Sequence, residues 1–340
     1  MESQVQSPSR PSLFTLMPAK ASAGAIDASP IADIPMLIAR LKLANINPSR
    51  IASPDLLAQL EQAQSTKIDT LICSILDTDP SVSLNASIAE SYPDDLATGV
   101  SMLAVLTRPE RLWITADPDK SAGWFSDVKP IVDNPALRLV PLRGDYPQTD
   151  PTLMLHTLLS RRLPPGRLPT SKGVMLIDAA AAVAVGRCTL PDESARQTPL
   201  ALRDHFQRRT HLLSVPLDTM LTSVIEFLEL HHPDAAYRAG DFLRDLWITP
   251  DTPLGNGELI IHATARHLDA NPDPCIQCGW CLEACPMRIH PAGLLDAAQQ
   301  KSPRMARNFG IEACIECGIC SYVCPTRLPL LSAIRELRKS

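Results

Sequence analysis

From residue 34 onward the chain alternates between short unbroken apolar runs and segments whose apolar positions return every three or four residues. The first pattern suits strands covered on both faces, the second amphipathic helices. PMLIARLKLA and SPDLLAQLEQAQ read as helices, the second opened by Ser53 as N-cap with Pro54 behind it. IDTLICSIL (68–76) reads as a buried strand, DDLATGVSMLAVLT as a helix and RLWITA (111–116) as a strand. SAGWFSDVKPIVD reads as a helix, LRLVPL (137–142) as a strand, DPTLMLHTLLSRR as a helix, and GVMLIDAAAAVAVGRC as a strand running into a helix. Strands separated by helices of this length predict a Rossmann-like α/β domain, a mostly parallel sheet with helices on both faces.

The pattern changes near residue 210. HLLSVPLDTMLTSVIEFLEL reads as strand, turn and helix, and GELIIHA (257–263) as a further strand, which predicts a small α+β module. Beyond it, PAGLLDAAQQ and SPRMARNFG predict a helical hairpin, the latter with a Ser cap, Pro at the first position and a Gly stop. LPLLSAIRELRKS predicts a terminal helix. Residues 1–33 are Pro-, Ser- and Ala-rich without periodicity and read as a flexible arm. The expected division is therefore an arm at 1–33, an α/β domain at 34–205, an α+β module at 206–268 and a helix-rich tail at 269–340.

Composition removes several function classes. Lys and Arg number 32 against 37 Asp and Glu, a net charge of −5, so no basic footprint for nucleic acid is present. The longest apolar stretch, 173–188, is broken by Asp178 and Arg187 and falls short of a membrane span. The start, MESQVQSPSR, has no apolar core of a secretory signal, so a cytoplasmic protein is expected. Paired acids at Asp77, Asp79, Asp94 and Asp95 flank strand ends and helix starts, where carboxylates favour helix N-termini. His231 and His232 precede Pro233 and mark a helix end, while Cys73 and Cys188 read as packed small hydrophobes.

The ten cysteines are unevenly placed, with eight of them between 275 and 324. They form Cys275-x2-Cys278-x2-Cys281-x3-Cys285-Pro286 and Cys314-x2-Cys317-x2-Cys320-x3-Cys324-Pro325. This is the run of two-cluster bacterial ferredoxins, in which the fourth cysteine of each run ligates the other cluster. Cys275, Cys278, Cys281 and Cys324 are thus expected to hold one 4Fe–4S cluster, and Cys314, Cys317, Cys320 and Cys285 the second. A disulfide framework belongs to short secreted chains. A zinc site normally uses two separated C-x2-C pairs. Eight basic and five acidic residues follow Asp273; Arg335, Arg338 and Lys339 among them read as a solvated helix face. His290 is a candidate for hydrogen bonding to a cluster sulfur, and Trp280 for shielding a cluster or for docking.

The order of parts resembles the RnfC-type subunits, the cytoplasmic iron–sulfur proteins of the Rnf ferredoxin:NAD+ oxidoreductase, and is similar to the corrinoid reductases of propanediol-utilising microcompartments. The stretches that carry it are KIDTLIC (67–73), YPQTDPTLMLHTLLSRRLPPGRLPTSKGVMLIDAAAAVAVGRC (146–188), SVPLDTMLTSVIEFLEL (214–230) and the cysteine tail. The resemblance implies a flavin-subunit-type α/β domain, a β-grasp (SLBB-like) module and a dicluster ferredoxin domain. Members carry a GxGGxGFPT phosphate loop before the first strand; here ANINPSRIASPDLL (44–57) has no glycine, and Pro48 and Pro54 lack N–H donors. The acidic Glu-Cys-Glu-Pro-Tyr segment is replaced by LDTDPSVSLNA (76–86), and Gly255-Asn256-Gly257 precedes a strand rather than a helix. Binding of FMN and NADH in the family's mode is therefore expected to be lost. The function expected is single-electron transfer between redox protein partners: a flavoprotein, a ferredoxin or a membrane redox complex on whose cytoplasmic face the chain would dock. A reductase with a rebuilt nucleotide site and a scaffold with structural clusters are the alternatives.

Overall fold

The computed structural model describes residues 14–17, 30–119, 129, 132, 134–188, 196–230, 232–241, 243–244, 246–265 and 272–339. The helix expected over SAGWFSDVKPIVD lies almost wholly outside them. Strands are numbered in chain order: β1 is Thr15–Leu16, β2 Thr70–Ser74, β3 Arg111–Ala116, β4 Leu137–Pro141 and β5 Val174–Asp178. They are followed by β6 (Gln197–Asp204), β7 (Arg209–Pro216), β8 (Ala235–Ala239), β9 (Leu246–Ile248) and β10 (Ile260–Ala265).

The first sheet has the order β4-β3-β2-β5 and is parallel throughout, with Thr70 beside both Arg111 and Val174. Successive side chains leave a strand on opposite faces, and both faces here are apolar. Leu71, Cys73, Met175 and Ile177 enter the main core, whereas Ile72, Val174 and Leu176 enter a second one with Met154 and Leu155 of helix Pro151–Leu159. This is the α/β arrangement expected from unbroken apolar runs. Helices Pro93–Thr107 and Ala179–Arg187 touch backbone to backbone on the main-core side. A Cβ on Gly99 would lie 1.9 Å from the Ala182 carbonyl oxygen, and one on Gly186 would lie 2.0 Å from that of Asp95. Only glycine fits at either crossing point.

The second sheet is mixed, in the order β1-β7-β6-β10-β8-β9. It differs from expectation in two ways. β6 is the antiparallel hairpin partner of β7, from Gln197 beside Pro216 to Asp204 beside Arg209, so the expected 205/206 boundary cuts a hairpin whose first strand opens at Gln197. Part of the expected arm is also structured: β1 pairs in parallel with β7, and Phe14 is buried in the main core. The tail is helical as expected. Helices Pro291–Gln299, Pro303–Asn308 and Leu330–Lys339 pack around Leu294, Ala297, Ala306, Leu330 and Ile334.

Candidate functional site

The two cysteine runs trace the same backbone path. Gln277 and Glu316 are left-handed (φ 57° and 54°), as are Gly279 and Gly318 (80° and 76°) and Arg288 and Arg327 (55° and 56°). Each glycine starts a single helical turn, Trp280–Glu283 in one run and Ile319–Tyr322 in the other. The turns wrap the first three cysteines of each run around one space and send the fourth to the other.

The result is two cavities, each lined by four thiols. Cys275, Cys278, Cys281 and Cys324 line one of about 400 Å³, with Ile276, Leu282, Leu295 and Leu328. Cys285, Cys314, Cys317 and Cys320 line a far tighter one of about 20 Å³ between Ile289, Ile315, Leu331 and Ile334. Among the described residues no three His, Cys, Asp or Glu side chains come close enough to share a single metal ion. Thiols spaced around a cavity suit a polynuclear centre better than a zinc ion, whose ligands converge on one point.

The quartets differ in exposure. Cys275 and Cys278 are exposed and Cys281 and Cys324 half-buried, whereas the other four are buried. Burial pushes the Cys317 thiol up to about 11 and Cys320 up to about 12, so these sulfurs are held protonated until a cation compensates them. Slight burial works against the Cys324 thiolate, yet hydrogen bonds from the Thr326 hydroxyl (Oγ1 to Sγ, 3.3 Å) and from the backbone of Leu328, Thr326 and Arg327 together outweigh it and lower the value. Ile276, Trp280, Leu282 and Tyr322 leave apolar surface exposed on the same two runs. Trp280 is 54% exposed and does not line the cavity, so it does not shield it.

Several smaller readings change. His290 caps helix Pro291–Gln299, its Nδ1 accepting from Gly293 N at 2.8 Å, while its ring lines the first cavity. Arg335 and Arg338 are not a solvated face: both reach Glu316, at 3.2 and 2.6 Å, and Arg338 Nη2 donates to the Cys314 carbonyl at 2.5 Å. The acids near β2 separate into structural roles. Asp77 accepts from Asn85 N, Asp79 accepts from Ser81 and lies 3.3 Å from His262, and Asp95 pairs with Arg187. His232 contacts Asp204 at 3.1 Å, while His231 lies outside the described residues. Cys73 and Cys188 are fully buried.

Most backbone donors of the segment in place of the phosphate loop are occupied. Asn47 N donates to Asn256 Oδ1, Ser49 N to Asn256 O, Leu56 N to Pro48 O and Leu57 N to Asn47 Oδ1, all within 3.0 Å. Arg50 N and Ser53 N bond each other's carbonyls, and Asn256 Nδ2 returns a bond to Asn45 O. Gly255-Asn256-Gly257 thus fastens the segment. Beside it Arg50 forms a two-pronged pair with Asp178 at 2.5 and 2.8 Å, both side chains almost completely buried. An anion nest needs free, convergent N–H groups. The residues here do not fit an FMN phosphate in that position.

Glu258 lines the same small pocket as Arg50 and Asp178. Burial raises its carboxyl from the ordinary 4.5 to about 7, against the pull of Arg50. The folded chain therefore keeps a proton that the unfolded chain loses. This contribution is full below about pH 4.5 and is lost as pH rises through about 7. Glu258→Gln is expected to match the parent at pH 4.5 and to exceed it by roughly 3 kcal/mol at pH 8. Urea unfolding at both pH values checks this; a constant difference would refute it.

Comparison with known proteins places these features. Residues 56–187 match the Nuo51 FMN-binding domain, starting at the last two residues of the glycine-free segment, and 267–325 match the 4Fe–4S dicluster domain. The chain is 25% identical over 288 residues to the C component of the ion-translocating oxidoreductase complex of Pasteurella multocida, covering 82% of this chain and 34% of that protein. It is 21% identical over 238 residues to the C component of the Na(+)-translocating ferredoxin:NAD(+) oxidoreductase complex of Acetobacterium woodii, covering 69% and 54%. The chain thus spans between a third and about half of these curated relatives. In fold it is similar to a chain of an NAD+-reducing NiFe-hydrogenase, with a TM-score of 0.54 and 12% identity over 84% of this chain and 52% of that one. The chain is thus similar to the C components of these redox complexes, with a segment that matches the Nuo51 FMN-binding domain followed by one that matches the 4Fe–4S dicluster domain.

Proposed function

We propose that this chain is an electron-relay subunit of a redox complex, with Cys275, Cys278, Cys281 and Cys324 holding one cluster and Cys285, Cys314, Cys317 and Cys320 the other. The supporting observation is that each interleaved quartet, and no mixture of the two, lines its own cavity. The bound clusters supply one-electron transfer from a reduced protein partner to an oxidised one, with no bond made or broken and no proton or group moved. The protein holds the sulfurs, excludes water from the second quartet and leaves the first within reach of a partner. The exposed Cys275 and Cys278, with exposed Ile276 and Trp280, form the side at which electrons enter or leave.

The partners are redox proteins, a flavoprotein, a ferredoxin or further subunits of an Rnf-type complex. Among the described residues no helix is long and apolar enough to cross a membrane. Membrane association at the cytoplasmic face would then run through partner subunits. In this reading the chain divides into the α/β domain, a β-grasp module that begins at β6, and the dicluster domain.

Anaerobic reconstitution tests the proposal. The expected product carries about eight irons and eight sulfides per chain and no flavin, and gives an EPR signal on dithionite reduction. Zinc in place of iron would overturn the cluster assignment. Stoichiometric FMN would overturn the reading of segment 44–57 and favour a flavin-dependent reductase.

A further inference from the structure

The second cysteine loop is fastened from three separate parts of the chain. The Tyr146 hydroxyl, from the segment after β4, donates to the Cys317 carbonyl at 2.6 Å. Arg244, just before β9, directs Nη1 to the Ile315 carbonyl at 3.4 Å. Arg338, on the terminal helix, donates to the Cys314 carbonyl at 2.5 Å. Arg244 is itself anchored by Asp241 and Asp150, at 3.0 and 3.1 Å, and its carbonyl accepts from Arg335 Nη2 at 2.9 Å. Its side chain is 3% exposed, and Nη2 is buried without a hydrogen-bond partner. The contact is close enough that a Cβ on Gly318 would sit 2.2 Å from the Leu243 carbonyl oxygen.

A peptide unit is planar and trans, so turning its carbonyl outward turns the N–H of the next residue inward. The Ile315–Glu316 unit shows this: the Ile315 carbonyl faces Arg244, and Glu316 N donates to Cys314 Sγ at 3.3 Å. Amide hydrogen bonds to cluster sulfurs, and nearby positive charge, favour the reduced, more negative state. The Cys275–Cys278 loop has no comparable side-chain bonds to its carbonyls among the described residues.

We infer that Tyr146, Arg244 and Arg338 are positioning residues that raise the reduction potential of the second cluster specifically, by orienting the amides of its loop and placing a buried guanidinium beside it. The inference rests on the two-cluster reading proposed above. It gives the α/β domain and the second sheet a part in setting the redox behaviour of a site built wholly from tail cysteines.

The test is voltammetry of the full-length, anaerobically reconstituted protein. Two one-electron waves are expected, and Cys285→Ser, which leaves only the first quartet intact, assigns them. In Tyr146→Phe the second wave should move to more negative potential while the first stays. Arg244→Met should shift it further in the same direction, since Asp150 and Asp241 then lose their cation, and Arg244→Lys should recover part of the shift. With both clusters assembled, a second wave that does not move in Tyr146→Phe and Arg244→Met, or two waves that move together, overturns the inference and leaves a mere brace. If Arg244→Met loses iron, Tyr146→Phe decides on the same criterion. Failure of the parent protein to bind iron or to give two waves would instead overturn the electron-relay reading.

Discussion

Cys285→Ser is expected to abolish the second cluster, and Cys324→Ser the first, although each residue lies in the other motif. Iron should fall from about eight to about four per chain in either variant. The EPR signal left by Cys285→Ser should match that of Cys317→Ser, and that left by Cys324→Ser should match that of Cys278→Ser. The reason is the crossing of the fourth cysteine into the opposite cavity. If each run instead served its own cluster, Cys285→Ser would pair with Cys278→Ser. Stability should split the same way. Cys285, Cys314 and Cys320 belong to the buried core of the tail, whereas Cys275 and Cys278 are exposed. Loss of a second-quartet ligand should therefore loosen the tail helices, because cluster binding and folding are coupled there. Loss of Cys278 should leave their circular dichroism nearly unchanged.

Asp178→Ala is expected to be the most destabilising single change in the α/β domain. It strands the Arg50 guanidinium, which is 5% exposed, without its two-pronged partner. Breaking a buried pair in this way costs roughly 3–5 kcal/mol. It also removes the cap on helix Ala179–Arg187, where Asp178 accepts from Ala181 N at 2.8 Å, for about 1 kcal/mol more. A fall in melting temperature on the order of 10 °C follows for a chain of this size. The double variant Arg50→Met with Asp178→Ser removes both charges and keeps a capping hydroxyl. It should recover most of the loss. If the double variant melts as low as Asp178→Ala, the pair is not the source of the effect.

What could be read in advance follows from where each signal is stored. The cysteine quartets are written in local spacing, and the parallel sheet in apolar runs such as LICS and VMLID, because a strand buried on both faces shows no apolar–polar alternation. The sheet to which a strand belongs is not local. TPLALR is apolar enough for either sheet, and only its hairpin with β7 assigns it to the second. The fastenings are less legible still. Tyr146 and Cys317 are separated by 171 residues, and Asn47 and Asn256 by 209. Arg335 and Arg338 show the same limit: charges on the second half of an amphipathic helix look solvated until the loop they touch is in place.

The anchorage of Cys317 and Ile315 to Tyr146 and Arg244 means that the ferredoxin-like segment is not a portable cassette. Excised or grafted elsewhere, it would retain Arg338 and its own thiols but leave two of the three carbonyl tethers behind.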